Sequence, residues 1–215
     1  MTQTLTAQEV TLRVLRESCG LKAAPNRDFF TEWGVDGFEI TPEHRQVLDR
    51  VQANYWALMD DPPLLENTVK MVILGPLLDL AGFYRKPFHL DTEPSVELNL
   101  TDADCIIRGR IDVLVISRLL WLVVIESKRS DFAVVRALPQ TLAYMLASPN
   151  QAHPTFGMIT NGSEFLFVKT QREADVALYG TSALFSLLNP GNELYRVLAV
   201  LRTLGESALA QPVKP

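Results

Sequence analysis

The stretch from Arg108 to Lys128 constrains the fold more than any other. It reads Arg-Gly-Arg-Ile-Asp-Val-Leu-Val-Ile-Ser-Arg-Leu-Leu-Trp-Leu-Val-Val-Ile-Glu-Ser-Lys. Ile111 to Ile116 and Trp121 to Ile125 are runs of β-branched and aromatic residues with a short turn between them, the pattern of two buried neighbouring strands. Asp112, Glu126 and Lys128 sit at the strand ends. A hairpin centred on Leu119 sets Asp112 directly opposite Glu126 on one face. Lys128 follows two residues later and shares that face. Gathering two carboxylates and an ammonium on an apolar hairpin is costly, and a divalent cation between the carboxylates offsets the cost. The alternative is a solvated salt bridge, because Glu-x-Lys is a common tripeptide and exposed pairs contribute little. The metal site is favoured by context: Val123-Val124-Ile125 runs straight into Glu126-Ser127-Lys128-Arg129 with no turn residue.

The 215 residues suit one domain, with 1–60 an N-terminal helical arm packed on a core formed by 61–210. Apolar residues make up 47% of the chain, enough for a sizeable interior. A formal net charge of −5 argues against a strongly basic nucleic-acid coat but leaves room for a local basic groove. Arg108, Arg110, Lys128, Arg129 and Arg136 cluster in sequence around the hairpin. Cys19 and Cys105 are far apart and read as free thiols in a reducing compartment. Three scattered histidines give no zinc-binding pattern. The polar first residues are unlike a signal peptide, and no apolar run approaches a membrane span, so a cytoplasmic protein without a membrane partner is expected.

Further along, Thr41-Pro42 opens a helix that Asp60-Asp61-Pro62-Pro63 ends. A second helix is expected from about Leu64 to Leu80, kinked at Gly75-Pro76, with Glu66 in its first turn where the helix dipole favours a carboxylate. Val96 to Leu100 alternates as a half-exposed strand, and Gly109 allows a bend or bulge just before Asp112. A helical stretch from Ser130 to about Ala147 is interrupted at Pro139 and places Gln140 and Tyr144 on one face. Phe156 to Thr160 and Phe165 to Lys169 are strands joined by an Asn161-Gly162 turn. Asp175 to Tyr179 reads as an edge strand and Glu193 to Ala208 as an amphipathic helix. The order implies an α/β fold, a central mixed β-sheet flanked by helices.

Asp112, followed by Glu126-x-Lys128 at the end of the next apolar strand, resembles the PD-(D/E)xK nuclease superfamily. Glu66 matches the additional acidic residue that many members carry on a helix before the sheet, and Gln140-x-x-x-Tyr144 resembles the QxxxY motif of some branches. Met158-Ile-Thr-Asn-Gly162 followed by Phe165-Leu-Phe is similar to the strand pair of the N-terminal nuclease domain of type I restriction enzyme R subunits. The likeness spans roughly residues 60–170. Two departures stand out. No phosphate-binding G-x-x-x-x-G-K-[ST] loop occurs, so no ATP-driven motor is expected here, and Arg110-Ile111 precedes Asp112 where the name of the superfamily has Pro.

The resemblance implies a restriction-endonuclease-like fold and a Mg²⁺- or Mn²⁺-dependent DNA endonuclease, working with or without a specificity or motor subunit. Asp112, Glu126 and the Ser127 carbonyl would hold the metal through hard oxygen donors, with Glu66 completing the shell or supporting a second metal. Lys128 would position the attacking water or stabilise charge developing at the phosphate, and Gln140 would orient a ligand or touch the backbone of the nucleic acid. Arg108, Arg110, Arg129 and Tyr144 would contact DNA without reading its sequence. A homodimer would suit cutting of both strands. A non-cleaving domain of the same fold, acting as a nucleic-acid or protein interaction module, is the competing function.

Overall fold

The computed structural model describes residues 3–35, 37–59, 66–100, 105–117, 121–126, 133–174 and 176–210. These form a mixed α/β structure with two mixed sheets flanked by helices. The strands are β1 (Gln3–Thr6), β2 (Leu21–Ala23), β3 (His89–Thr92), β4 (Ser95–Leu100), β5 (Cys105–Arg110), β6 (Val113–Ile116), β7 (Trp121–Glu126), β8 (Thr155–Thr160), β9 (Glu164–Glu173) and β10 (Val176–Ser186). The helices are α1 (Leu12–Cys19), α2 (Pro42–Met59), α3 (Glu66–Val69), α4 (Gly75–Leu80), α5 (Leu138–Leu146) and α6 (Leu194–Ala210). A seven-stranded sheet has the order β2-β10-β9-β8-β7-β6-β3, and a three-stranded sheet has the order β1-β5-β4. The expected single central sheet is therefore two.

One bent hairpin connects them. The pairs His89↔Ile116 and Thr92↔Val113 in the large sheet continue in the same register as Ser95↔Arg110 and Leu100↔Cys105 in the small one. Both strands change sheets at one level, Glu93-Pro94 on one side and Ile111-Asp112 on the other. The Glu93 amide donates to the Asp112 carbonyl at 3.2 Å, and the Ile111 amide donates to the Pro94 carbonyl at 3.1 Å. The bend lies at Asp112 itself, and not at Gly109 as expected. It also breaks the strand alternation: Ile111 and Leu114 both enter one core, while Val113 and Val115 enter the other.

Those two cores cover the two faces of the large sheet. On the first, Val113, Val115, Leu122, Met158 and Phe167 pack under α2, α4 and α6. On the second, Leu114, Val123, Ile159 and Val168 pack under α5, which is buried along most of its length because the small sheet lies over it. Gly157 on β8 admits α5 closely; a Cβ there would lie 2.8 Å from Thr141 Cγ2 and 2.9 Å from Met145 Sδ. The arm contributes to both sheets, since β1 pairs with β5 and β2 with β10, each in parallel.

Several expected elements stand with altered detail. Thr41 caps α2 through its hydroxyl, which accepts from the His44 amide at 3.3 Å. The second helix is continuous through a π-helical turn, Lys70–Leu74, in place of a plain kink at Gly75-Pro76. Pro76 has no amide hydrogen, and its ring crowds the carbonyl four residues earlier in a regular α-helix, so the wider turn just before it is physically apt. Pro139 lies in the first turn of α5, where its missing donor costs nothing. Asn161-Gly162 joins β8 to β9, with Asn161 Oδ1 accepting from the Ser163 and Glu164 amides. Of the strand expected at Asp175 to Tyr179, Asp175 lies outside the described residues and Val176 to Tyr179 begin the longer β10, which lies inside the sheet between β9 and β2.

Candidate active site

Asp112 stands on the bend between the two sheets. Its carboxylate faces the helical rod α3–α4, and Lys70 Nζ lies 3.5 Å from Oδ1. The two side chains are 22% (Lys70) and 21% (Asp112) exposed, so the pair is partly withdrawn from solvent and its attraction is less screened than that of a surface pair. A cleft of about 210 Å³ opens here, lined by Asn67, Lys70, Tyr84, Thr92, Glu93 and Asp112. Tyr84 sits at its mouth and donates to the Gly75 carbonyl at 3.1 Å. Burial foremost, and the Asp79 charge as well, push the Tyr84 phenol above its ordinary pKa.

The register expected for Asp112 and Glu126 is corrected by one residue. Val113 pairs with Val124 and Leu114 with Val123, so a ladder in this register would set position 125, not 126, against Asp112. Hydrophobic matching decides the register, because Val113 and Leu122 must face one core while Leu114 and Val123 face the other. Asp112 precedes β6 and lies outside that ladder. Strand parity therefore does not fix its direction; the bend does. Glu126 closes β7 and pairs through its backbone with Thr160 of β8. Glu66 is the first residue of α3, one helical turn before Lys70. The side chains of Glu66 and Glu126 lie outside the described residues, as do Ser127, Lys128 and Arg129 entirely. Among the described residues no three His, Cys, Asp or Glu side chains converge, and Asp112 is the one expected ligand whose side chain is described. Its hard carboxylate, beside a positive group in a cleft, is a donor of the kind Mg²⁺ takes.

Gln140 and Tyr144 do meet. Gln140 Nε2 donates to Tyr144 Oη at 3.2 Å, and the Arg110 backbone amide also donates to that oxygen. Burial pushes the Tyr144 phenol above its ordinary pKa; the Asp112 charge adds to this and the two hydrogen bonds oppose it. The Tyr144 ring is 3% exposed within the second core, which removes it from direct contact with DNA. It packs against the β5 backbone at Gly109 and Arg110. Gly109 makes that possible, since a Cβ there would lie 2.2 Å from Tyr144 Oη. Arg108 and Arg110 project from β5 and are exposed, each paired with a glutamate of the same hairpin: Arg108 with Glu97 at 2.8 Å and Arg110 with Glu93 at 3.3 Å.

Lys70 was not among the residues singled out from sequence. A signal was present in the row Glu66, Lys70, Leu74, Leu78, spaced by four. Its two leucines are fully buried, so a lysine in that row points inward and needs a partner.

No family model matches the chain, and no curated protein matches it at a significant level. Among the described residues, no helix is long and apolar enough to cross a membrane.

Proposed function

We propose that the chain is a divalent-metal-dependent DNA endonuclease of the PD-(D/E)xK kind, with a restriction-endonuclease-like core and no motor of its own. The observation that carries this reading is the setting of Asp112. Its carboxylate is held at a strand bend, in a cleft, beside Lys70, under the helix that starts at Glu66 and over the Gln140–Tyr144 pair. A carboxylate partly withdrawn from water and facing a cleft is suited to holding a positive group there.

Asp112, with Glu126, the Ser127 carbonyl and Glu66, would hold Mg²⁺ or Mn²⁺. When bound, the ion supplies Lewis-acid charge to a phosphate oxygen and lowers the pKa of a water. The other residues orient and screen. Lys128 neutralises charge growing on the phosphate. Tyr144, anchored by Gln140, fixes the backbone that carries Asp112. Arg108 and Arg110, freed from their glutamates by competing phosphates, and Arg129 bind the DNA backbone without reading sequence.

Plasmid nicking in Mg²⁺ or Mn²⁺ tests the reading. Wild-type protein is expected to convert supercoiled to open-circular or linear DNA, and Asp112→Ala to lose at least about a hundredfold of that rate with circular dichroism unchanged. Binding of duplex DNA without cutting in any divalent metal would favour the interaction-module function instead. Neither metal binding nor DNA binding at low salt would remove both.

A further inference from the structure

We propose that Lys70 is a second, exchangeable lysine of this cleft: it neutralises Asp112 while no metal is bound and turns to a DNA phosphate when a divalent ion takes the carboxylate. The inference rests on the nuclease reading and adds to it the residue that couples metal loading to substrate binding. Three observations support it. Lys70 occupies the inward row of its helix, above the buried Leu74 and Leu78, so its ammonium does not lie there by surface chance. Lys70 begins the π-helical turn, where the Gly75 amide bonds back to the Lys70 carbonyl, and such turns recur at functional sites because they re-aim the residues they carry. The ammonium reaches Asp112 Oδ1 at 3.5 Å across a cleft with room for another rotamer.

The electrostatics follow simply. An ammonium about 4 Å from a carboxylate, with a divalent ion on the same carboxylate, feels strong repulsion in a partly dry cleft. The lysine stem is long and flexible, and its three donors suit a phosphate oxygen as well as a carboxylate. The same side chain therefore lowers metal affinity when DNA is absent and raises DNA affinity when metal is present.

The test compares wild type with Lys70→Met, Lys70→Gln and Lys70→Arg in the full chain. In calorimetry with Mn²⁺ and no DNA, the Met and Gln variants are expected to bind the ion about threefold or more tighter than wild type. With Ca²⁺ in place of Mg²⁺ so that DNA stays uncut, the same variants should bind a duplex about tenfold more weakly. The slope of log affinity against log salt should fall by about one, and Arg should restore both. In Mg²⁺ the loss should appear mainly in KM. Unchanged Mn²⁺ affinity and an unchanged salt slope in folded Met and Gln variants, while plasmid is still cut, would overturn the role of Lys70 and leave the nuclease reading standing. Tighter Mn²⁺ binding in the variants, with no cutting by any form of the protein, would do the reverse for the nuclease reading. Should Met disrupt folding, Gln keeps a hydrogen-bond donor to Asp112 and carries the comparison.

Discussion

Glu93 and Asp112 face each other across the bend of a single hairpin, joined by the Glu93 amide and the Asp112 carbonyl at 3.2 Å. Glu93 adopts φ 55°, a left-handed conformation uncommon for a side-chain-bearing residue. The bend that aims Asp112 into the cleft thus carries a strained residue in its partner strand, a cost the rest of the hairpin offsets. Replacing Glu93 by Asn, which tolerates this conformation, is expected to raise stability by about 0.5 kcal/mol. The exposed pair with Arg110 offsets little of that gain. Glu93→Val should lower stability by about 2 kcal/mol, because a β-branched residue resists positive φ. Urea midpoints of the two variants check this, and a less stable Asn variant would show that the strain is compensated elsewhere.

Tyr144 and Gly109 form a second relationship on which the bend depends. An added methyl at position 109 would meet Tyr144 Oη at 2.2 Å, Tyr144 Cε1 at 2.7 Å and Ala7 Cβ at 2.8 Å. Gly109→Ala should therefore cost about 2–3 kcal/mol through overpacking. Tyr144→Phe should cost about 1 kcal/mol by removing the oxygen that receives Gln140 and the Arg110 amide. Combined, the two should cost less than their sum by about 1 kcal/mol, since the lost oxygen makes room for the methyl. A denaturation cycle over all four proteins measures the coupling. Simple additivity would mean that Tyr144 does not press on β5.

What the sequence makes legible here is local and periodic. The β-branched runs announce β6 and β7, Thr41-Pro42 announces the start of α2, and the spacing of Gln140 and Tyr144 announces their contact. The hairpin register is missed by one residue because a centre at Leu119 opposes the two carboxylates, whereas the matching of Val115 with Leu122 and Leu114 with Val123 across the two cores shifts it; the bend at Asp112 then takes that residue out of the ladder. The bend is illegible because its cause is a pairing with Glu93 nineteen positions away in sequence, and nothing in Glu-Pro marks a left-handed glutamate. The two sheets are missed for the same reason, since one hairpin runs through both. Lys70 is missed because a helix pattern scored for apolar residues passes over a lysine in an inward row.

Cys19 offers a pH-dependent check on the packing of α1. Burial raises its thiol pKa from 9.0 to about 11, and Arg172 opposes the rise only in part. At pH 8 its thiolate fraction should then be about a hundredfold below that of an ordinary thiol, with alkylation slowed to match. The sign for stability follows from the raised value. The folded state holds the proton more tightly, so the contribution is full below about pH 9 and is lost as pH rises from about 9 through about 11. Iodoacetamide rates in a Cys105→Ser background, with native protein compared against urea-unfolded protein, measure this. Equal rates at pH 8 would place the thiol in water.

The arm is tied to the large sheet by an ion pair whose two halves are unequally buried. Lys169 Nζ lies 2.6 Å from Glu32 Oε1, with the lysine side chain 10% exposed and the glutamate 21%. The ammonium also lies over the Phe29 ring, 5.3 Å from its centroid. Removing either partner strands the other charge: the ammonium has little access to water, and Glu32 Oε2 is buried with no hydrogen-bond partner among the described residues. Glu32→Ala and Lys169→Met should therefore each cost about 3 kcal/mol. The double variant should cost about 2 kcal/mol less than their sum, because the methionine fills the site with no charge left to balance. Urea midpoints of the three variants decide it. If Lys169→Met proves the more damaging change, the lysine anchors the arm through its stem and its contact with Phe29, and the carboxylate is incidental.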